Sequence, residues 1–262
     1  DGSDVIRGWY GEDRIVFGKG IHTGNVGIER VGGNLEIRYG ESDLIVVAEM
    51  YVWSYGQNFV ENIEFSDGIH LDKDAINHEA SVRYGTNEAD TMYGYDGTCG
   101  YDINETLYGY GGDDVFNGNE GNDIIYGGEG DDTINGGEGN DIIIGETGDD
   151  KLNGDSGDDT YFFNIGDGSD IVSEHDGEDR IVFGEGITTE NVSIERVGGN
   201  LEIRYGESDR IVVSEMYVWT YGTGFVENIE FLDGKVLDKD AINHEASVRY
   251  GTNEADTMYG YD

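Results

Sequence analysis

Between residues 109 and 162 an aspartate returns every nine residues, as Asp114, Asp123, Asp132, Asp141, Asp150 and Asp159. A carboxylate is a hard oxygen donor, and carboxylates brought to one point repel each other unless a proton or a cation lies between them. The chemistry open to such a row is therefore the binding of a hard divalent cation, with oxygens at about 2.3–2.6 Å if the ion is Ca2+. The charge of the whole chain points the same way. It carries 57 acidic and 15 basic residues, a net charge of −42, which excludes the electrostatics of nucleic-acid or anionic-membrane binding and makes cations the natural partner. Self-repulsion of that size in a compact state requires screening by salt or neutralisation by bound cations.

The elements that position these aspartates are short. Gly109 to Phe162 divides into six nonapeptides, GYGGDDVFN, GNEGNDIIY, GGEGDDTIN, GGEGNDIII, GETGDDKLN and GDSGDDTYF. Each has glycine at positions 1 and 4, aspartate at position 6 and a large apolar residue at position 8, namely Phe116, Ile125, Ile134, Ile143, Leu152 and Tyr161. Glycine this frequent would cost a helix about 0.8–1.0 kcal/mol per residue relative to alanine, so turn and short strand must alternate. The strand triplet around position 8 sends one side chain inward, and the glycines allow tight turns and close backbone approach. Successive nonapeptides then form opposite sides of a flattened right-handed coil, two per turn, with like turns stacked about 4.7–4.9 Å apart. Degraded copies flank the regular run. Upstream, 85–93 keeps Asp90 and 100–108 has Glu105 at the aspartate place; downstream, after an insertion of Phe163 and Asn164, 165–173 keeps Asp170 and 174–182 keeps Asp179. The matching N-terminal pieces supply Asp4 and Asp13.

A longer repeat encloses the short one. Residues 1–96 align without gaps on 167–262, with 78 of 96 positions identical, so the chain is about one and a half units of a tandem array. The expected fold is all-β, a right-handed parallel β-roll alternating with small antiparallel β cap or spacer modules. Its divisions are 1–20, the end of a preceding roll; 21–84, a spacer; 85–186, the roll, with a regular core at 109–162 and degenerate flanks at 85–108 and 165–182; 187–250, the second spacer; and 251–262, the start of the next roll. In the second spacer, 192–205 predicts two strands about a Gly198-Gly199 turn, and a short helix is expected near Lys239–Ala246. The single cysteine, Cys99, allows no intrachain disulfide. No apolar run approaches the ~20 residues needed to span a bilayer, and the opening at Asp1 has no signal-peptide pattern, so the chain reads as a fragment of a longer protein.

The nonapeptide resembles the calcium-binding repeat of the repeats-in-toxin (RTX) proteins, a recognised signature that covers 109–162 closely and its flanks more loosely. The stretch IEFLDGKVLDKDAI is similar to the haemolysin-type calcium-binding-related module that follows such rolls. The resemblance implies Ca2+ held between loops two nonapeptides apart, each site taking two aspartates and four backbone carbonyls. One site would use Tyr110, Gly112, Asp114, Gly127, Glu129 and Asp132, and a second Asn119, Gly121, Asp123, Gly136, Glu138 and Asp141. A third would use Gly128, Gly130, Asp132, Gly145, Thr147 and Asp150, and a fourth Gly137, Gly139, Asp141, Gly154, Ser156 and Asp159. Weaker sites are expected at Asp4, Asp13, Asp90, Glu105, Asp170 and Asp179. What the resemblance implies of function is a non-catalytic, calcium-dependently folding structural or binding segment of a large type I-secreted bacterial exoprotein, an adhesin or a haemolysin-like toxin. Its partners would be calcium, neighbouring copies of the repeat and a host-surface or glycan ligand. An accessory region of a secreted hydrolase or polysaccharide-modifying enzyme, with the catalytic domain elsewhere, is the competing reading.

Other tempting residues have plainer explanations. Gly154-Asp155-Ser156-Gly157 spells a serine-protease motif but falls in phase with five sister repeats that lack the serine. His78-Glu79 and His244-Glu245 begin like a zinc-protease helix, yet the fifth position is Val82 or Val248. Tyr93, Tyr108 and Tyr126 at position 9 form an aromatic stripe better explained by shielding the roll face than by sugar stacking. Tyr51, Trp53 and Tyr55, repeated as Tyr217, Trp219 and Tyr221, are better candidates for a contact surface, although hydrophobic packing still outranks that role for them.

Overall fold

The computed structural model describes residues 3–6, 13–31, 34–40, 43–48, 60–72, 75–76, 80–94, 104–217 and 226–247. Cys99, His78, Glu79, Tyr51, Trp53, Tyr55, Trp219, Tyr221 and the expected roll start at 251–262 lie outside these residues.

Alternate nonapeptides, preceded by Val82–Tyr84 from the end of the expected first spacer and continued by strands of the second, build two eight-stranded sheets. The first runs, in spatial order, Val82–Tyr84, Thr106–Tyr108, Ile124–Glu129, Ile142–Thr147, Thr160–Phe163, Asp179–Phe183, Val226–Phe231 and Val236–Asp238. The second runs Thr91–Tyr93, Val115–Glu120, Thr133–Glu138, Lys151–Ser156, Ser169–Ser173, Asp209–Val213, Asn200–Tyr205 and Ser193–Val197. Within the regular roll every pairing is parallel and joins like positions one turn apart, as in Ile125 with Ile143 and Phe116 with Ile134. This is the expected coil of two nonapeptides per turn. The strands are longer than the expected triplet, because positions 1–3 of the following nonapeptide stay in the ladder, as in Gly128 with Glu146 and Glu129 with Thr147.

Position 8 faces inward from both sheets. Leu107, Phe116, Ile125, Ile134, Ile143, Leu152 and Tyr161 are fully buried and form one continuous core with Val172, Ile181 and Phe183 beyond them. Each such side chain contributes roughly 1.5–3 kcal/mol of burial.

Position 9 faces outward, and the two sheets differ there. On the first sheet Tyr84, Tyr108 and Tyr126 stack, with ring centroids 5.4 and 4.8 Å apart. On the second sheet the same place holds Asn117, Asn135 and Asn153 in register, with Asn153 donating to Asn135 at 3.1 Å. Tyr93 does not join the tyrosine stripe: it pairs with Asn117 on the opposite sheet, because consecutive nonapeptides alternate sides. Rings stacked face to face present edges to solvent, which favours shielding over sugar stacking for this stripe.

The second spacer continues both sheets of the roll. Asp209–Val213 adds in parallel to Ser169–Ser173 and then turns back through two antiparallel strands, with Gly198 at φ 66° in the expected hairpin turn. Val226–Phe231 adds in parallel to Asp179–Phe183, and Val236–Asp238 closes that edge. Helix Lys239–Ser247 follows, its Ala241 N–H received by Asp238 Oδ1 at 2.9 Å, and it buries Ile242 and Ala246 against the same core. The first copy repeats this order in its own strands and has a separate core that includes Leu35, Ile37, Ile63 and Ile76.

Two different constraints fix the loop glycines. Gly130 at position 4 lies at φ 129°, where only glycine sits without strain. Gly118 at position 1 has no such angle, but a Cβ there would lie 2.2 Å from the Gly136 carbonyl oxygen and 2.4 Å from Asp123 Oδ2. At Gly111, by contrast, an added Cβ would meet nothing nearer than 3.5 Å. G118A should therefore destabilise the chain by about 2–4 kcal/mol in denaturant melts at saturating calcium. G111A should leave it unchanged or more stable by up to about 1 kcal/mol.

Candidate metal centre

The position-6 aspartates are where the backbone ladder and the acidic charge meet. Each reaches back one turn, so that its Oδ1 accepts the backbone N–H of the corresponding residue there. Glu105 donates to Asp123, Asp114 to Asp132, Asp123 to Asp141, Asp132 to Asp150 and Asp141 to Asp159, all at 2.7–2.8 Å. The six residues 94–99 between the two upstream copies and the insertion of Phe163 and Asn164 leave the columns unbroken: Asp90 donates to Asp114, Asp150 to Asp170 and Asp159 to Asp179, at 2.7, 3.0 and 2.9 Å.

In seven of these carboxylates the second oxygen has no such partner. Oδ2 of Asp114, Asp123, Asp132, Asp141, Asp150, Asp159 and Asp170 is buried and unbonded within the protein. The aspartates themselves are at most 1% exposed. A buried carboxylate oxygen left unpaired costs several kcal/mol unless it is protonated or meets a cation.

The loops that would share an ion are brought together in the expected pairs. In the first, Glu129 N–H donates to the Tyr110 carbonyl and Gly112 N–H to the Glu129 carbonyl, at 2.9 and 2.7 Å. In the next three, Gly121 donates to Glu138, Gly130 to Thr147 and Gly139 to Ser156, at 2.8–2.9 Å. These carbonyls each spend one lone pair on the ladder and keep another. Hard anionic oxygens flanked by loop carbonyls fit Ca2+, so the donor set matches the ion that the repeat implies.

At the N-terminus the two aspartates differ from each other. Asp4 is exposed on strand Ser3–Ile6, and the Asp13 N–H is received by Glu61 Oε2 at 2.6 Å.

Several participants carried no expectation from the sequence. Position 5 is aspartate or asparagine in all six nonapeptides and forms an outer ladder of opposite direction, each side-chain oxygen accepting the N–H of the turn after it. Asp131 N–H donates to Asp113 Oδ1, Asn140 to Asn122, Asp149 to Asp131 and Asp158 to Asn140, at 2.7–3.1 Å. The restriction of that position to aspartate and asparagine was the available signal. Glu227 was not legible in the same way. A bulge between Asp179 and Arg180 leaves Glu227 as the extra residue, and its Oε2 accepts the Asp179 N–H at 2.9 Å, closing that column as Glu61 closes it beside Asp13.

Two parallel sheets wound from glycine-rich turns, with carboxylates stacked along both rows of loops, define a calcium-binding β-roll. In agreement, residues 1–21, 100–134, 126–161 and 135–172 match the RTX calcium-binding nonapeptide repeat in four copies. The chain carries RTX repeats, and calcium is the cation these repeats take. The iron-regulated protein FrpA of Neisseria meningitidis serogroup C is 32% identical over 108 residues, which cover 39% of this chain and 10% of that protein. This chain thus spans a small part of the length of that relative. The solved extracellular lipase LipA from Serratia marcescens matches at 12% identity over 86% of this chain and 34% of that one, with a TM-score of 0.22. The fold assignment rests on the strand register above. Among the described residues no helix is long and apolar enough to cross a membrane.

Burial dominates the electrostatics. Desolvation is the largest cause in pushing Asp123 and Asp170 up to about 8, Asp141 and Asp150 to about 7, and Asp132 and Asp159 to about 6. The N–H bond to each Oδ1 opposes this, and neighbouring carboxylates add to it. Asp114 is raised by the same cause. Because these folded values lie above the ordinary 3.8, the ion-free roll gains stability from protonation, fully below pH about 4 and lost as pH rises through about 6–8. In chelator, thermal melts followed by circular dichroism should show the roll most stable at about pH 4 or below, progressively less stable as the pH rises, and least stable at pH 8. Calcium should reverse that order above pH 7, and its calorimetric binding should release protons between pH 6 and 8.

Proposed function

We propose that this chain is a non-catalytic, calcium-dependently folding structural and binding segment of a large, type I-secreted bacterial exoprotein, an adhesin or haemolysin-like toxin. The observation that carries the reading is the set of seven buried carboxylate oxygens without a protein partner, stacked on the two rows of loops. The ligand sets are the four pairs of loops described above, from Tyr110 and Asp132 at one end to Gly137 and Asp159 at the other. Asp170 and Asp179 extend them toward the spacer.

The mechanism is coupled folding. At neutral pH without calcium, each position-6 carboxylate must either take up a proton or leave the roll, and a glycine-rich chain of net charge −42 is then driven toward the unfolded ensemble. That form suits export. Outside the cell, bound calcium supplies the positive charge between facing loops, and a site held at 100 times its Kd adds about 2.7 kcal/mol to the folded state. The tandem repetition, and a first spacer that leads directly into strand Val82–Tyr84 of the roll, support an array in which neighbouring copies are the nearest partners.

The test is a far-ultraviolet circular-dichroism titration of the chelator-stripped chain with CaCl2, MgCl2 or matched NaCl, repeated with D132A and D141A combined. A cooperative gain of β structure with calcium alone, displaced to higher calcium in the double variant, is expected. A chain fully folded in chelator at pH 8, indifferent to calcium, would refute the proposal.

A further inference from the structure

Position 1 is glycine in all six regular nonapeptides, but in the loop 174–179 it is Glu174. The residue 166 places earlier, in the first copy, is Gly8, so the glutamate is particular to this loop. It adds a third carboxylate where the other loops bring two. Oxygens of Asp159, Glu174 and Asp179 lie within 4.8 Å of one another. Asp159 is fully buried, with Oδ1 committed to the Asp141 N–H and Oδ2 without any hydrogen-bond partner.

Glu174 is held from both sides. The Tyr161 hydroxyl donates to its Oε1, and the His175 N–H donates to Oε2 at 3.2 Å. Tyr161 bears the one hydroxyl found at position 8 among the six regular nonapeptides, and it is completely buried. The core thus anchors the extra carboxylate. Strand Asp179–Phe183, which begins at this cluster, is also the strand onto which the spacer's Val226–Phe231 adds.

We infer that Asp159, Glu174 and Asp179 form a three-carboxylate cation site at the junction of roll and spacer, and that it fills before the two-carboxylate sites of the regular roll. The inference rests on the calcium reading above and reverses the sequence-based expectation of a weaker site at Asp179. Affinity in oxygen cages rises with the number of charged ligands, and three carboxylates fully neutralise a trivalent ion. Terbium is therefore the natural probe, with the Tyr161 phenol beside the site to sensitise its emission.

The full-length, chelator-stripped chain would be titrated with Tb3+ under tyrosine excitation and with Ca2+ by calorimetry. A first step about tenfold or more tighter than the rest is expected. E174Q keeps an acceptor for the Tyr161 hydroxyl but removes the charge; it should lose that step while the later sites and the calcium-induced β signal persist. E174G, the first-copy residue, should behave likewise and guards against misfolding of the glutamine variant. Y161F should lose the emission of the first step. A tight step that survives in E174Q and E174G, or whose emission is unchanged in Y161F, would overturn the assignment while leaving the calcium reading intact. Absence of any calcium-induced structure in the unmodified chain would instead overturn the calcium reading itself.

Discussion

The fold depends on an unequal use of the two oxygens of each position-6 aspartate. Oδ1 receives the backbone N–H of the turn before it, which ties successive turns together and draws the carboxylate into the loop. Oδ2 is thereby carried into a dry place without a partner. The bond that orders the roll also creates its deficit of positive charge, and this is why packing and ion binding cannot be separated here. The glycine at position 1 follows from the same geometry, since the carboxylate oxygen occupies the space a Cβ would need.

Much of this was legible in the sequence. The phase of glycine, aspartate and apolar residue predicts two nonapeptides per turn and one inward residue per strand, and Ile125, Ile134 and Ile143 stand where that phase puts them. The hairpin about Gly198 and the helix from Lys239 were also readable, because a turn dipeptide and a local polar pattern suffice for them. What escaped depends on distant partners. Glu227 enters the carboxylate column only because a bulge presents it to Asp179, 48 residues earlier in the chain. Glu174 meets Asp159 and Tyr161 only across the coil. The stripe that placed Tyr93 with Tyr108 and Tyr126 failed for a simpler reason, that alternate nonapeptides belong to opposite sheets.

The spacer shares the roll's sheets as well as its end. A parallel sheet edge exposes unpaired N–H and C=O groups, and the antiparallel strands Ser193–Val197 and Val236–Asp238 carry each sheet on into a hairpin, with the helix against the core between them. Tyr217, one of the residues considered for a contact surface, packs beneath the Arg196 guanidinium at 4.4 Å. Its ring is engaged within the module.

The alternation of sides has a consequence for how such an array can change length. Tyr84, Tyr108 and Tyr126 stack on one outer face, Asn117, Asn135 and Asn153 stand in register on the other, and the spacer attaches a three-strand meander to one sheet and a hairpin with its helix to the opposite one. Deleting or duplicating a single nonapeptide would transfer every later strand to the wrong side, interrupting the tyrosine stack and the asparagine column and exchanging the two attachment points of the spacer. Gain or loss of two nonapeptides preserves every neighbour. The heritable unit of growth for this roll is therefore the full turn of the coil, even though the motif visible in the sequence is half of it.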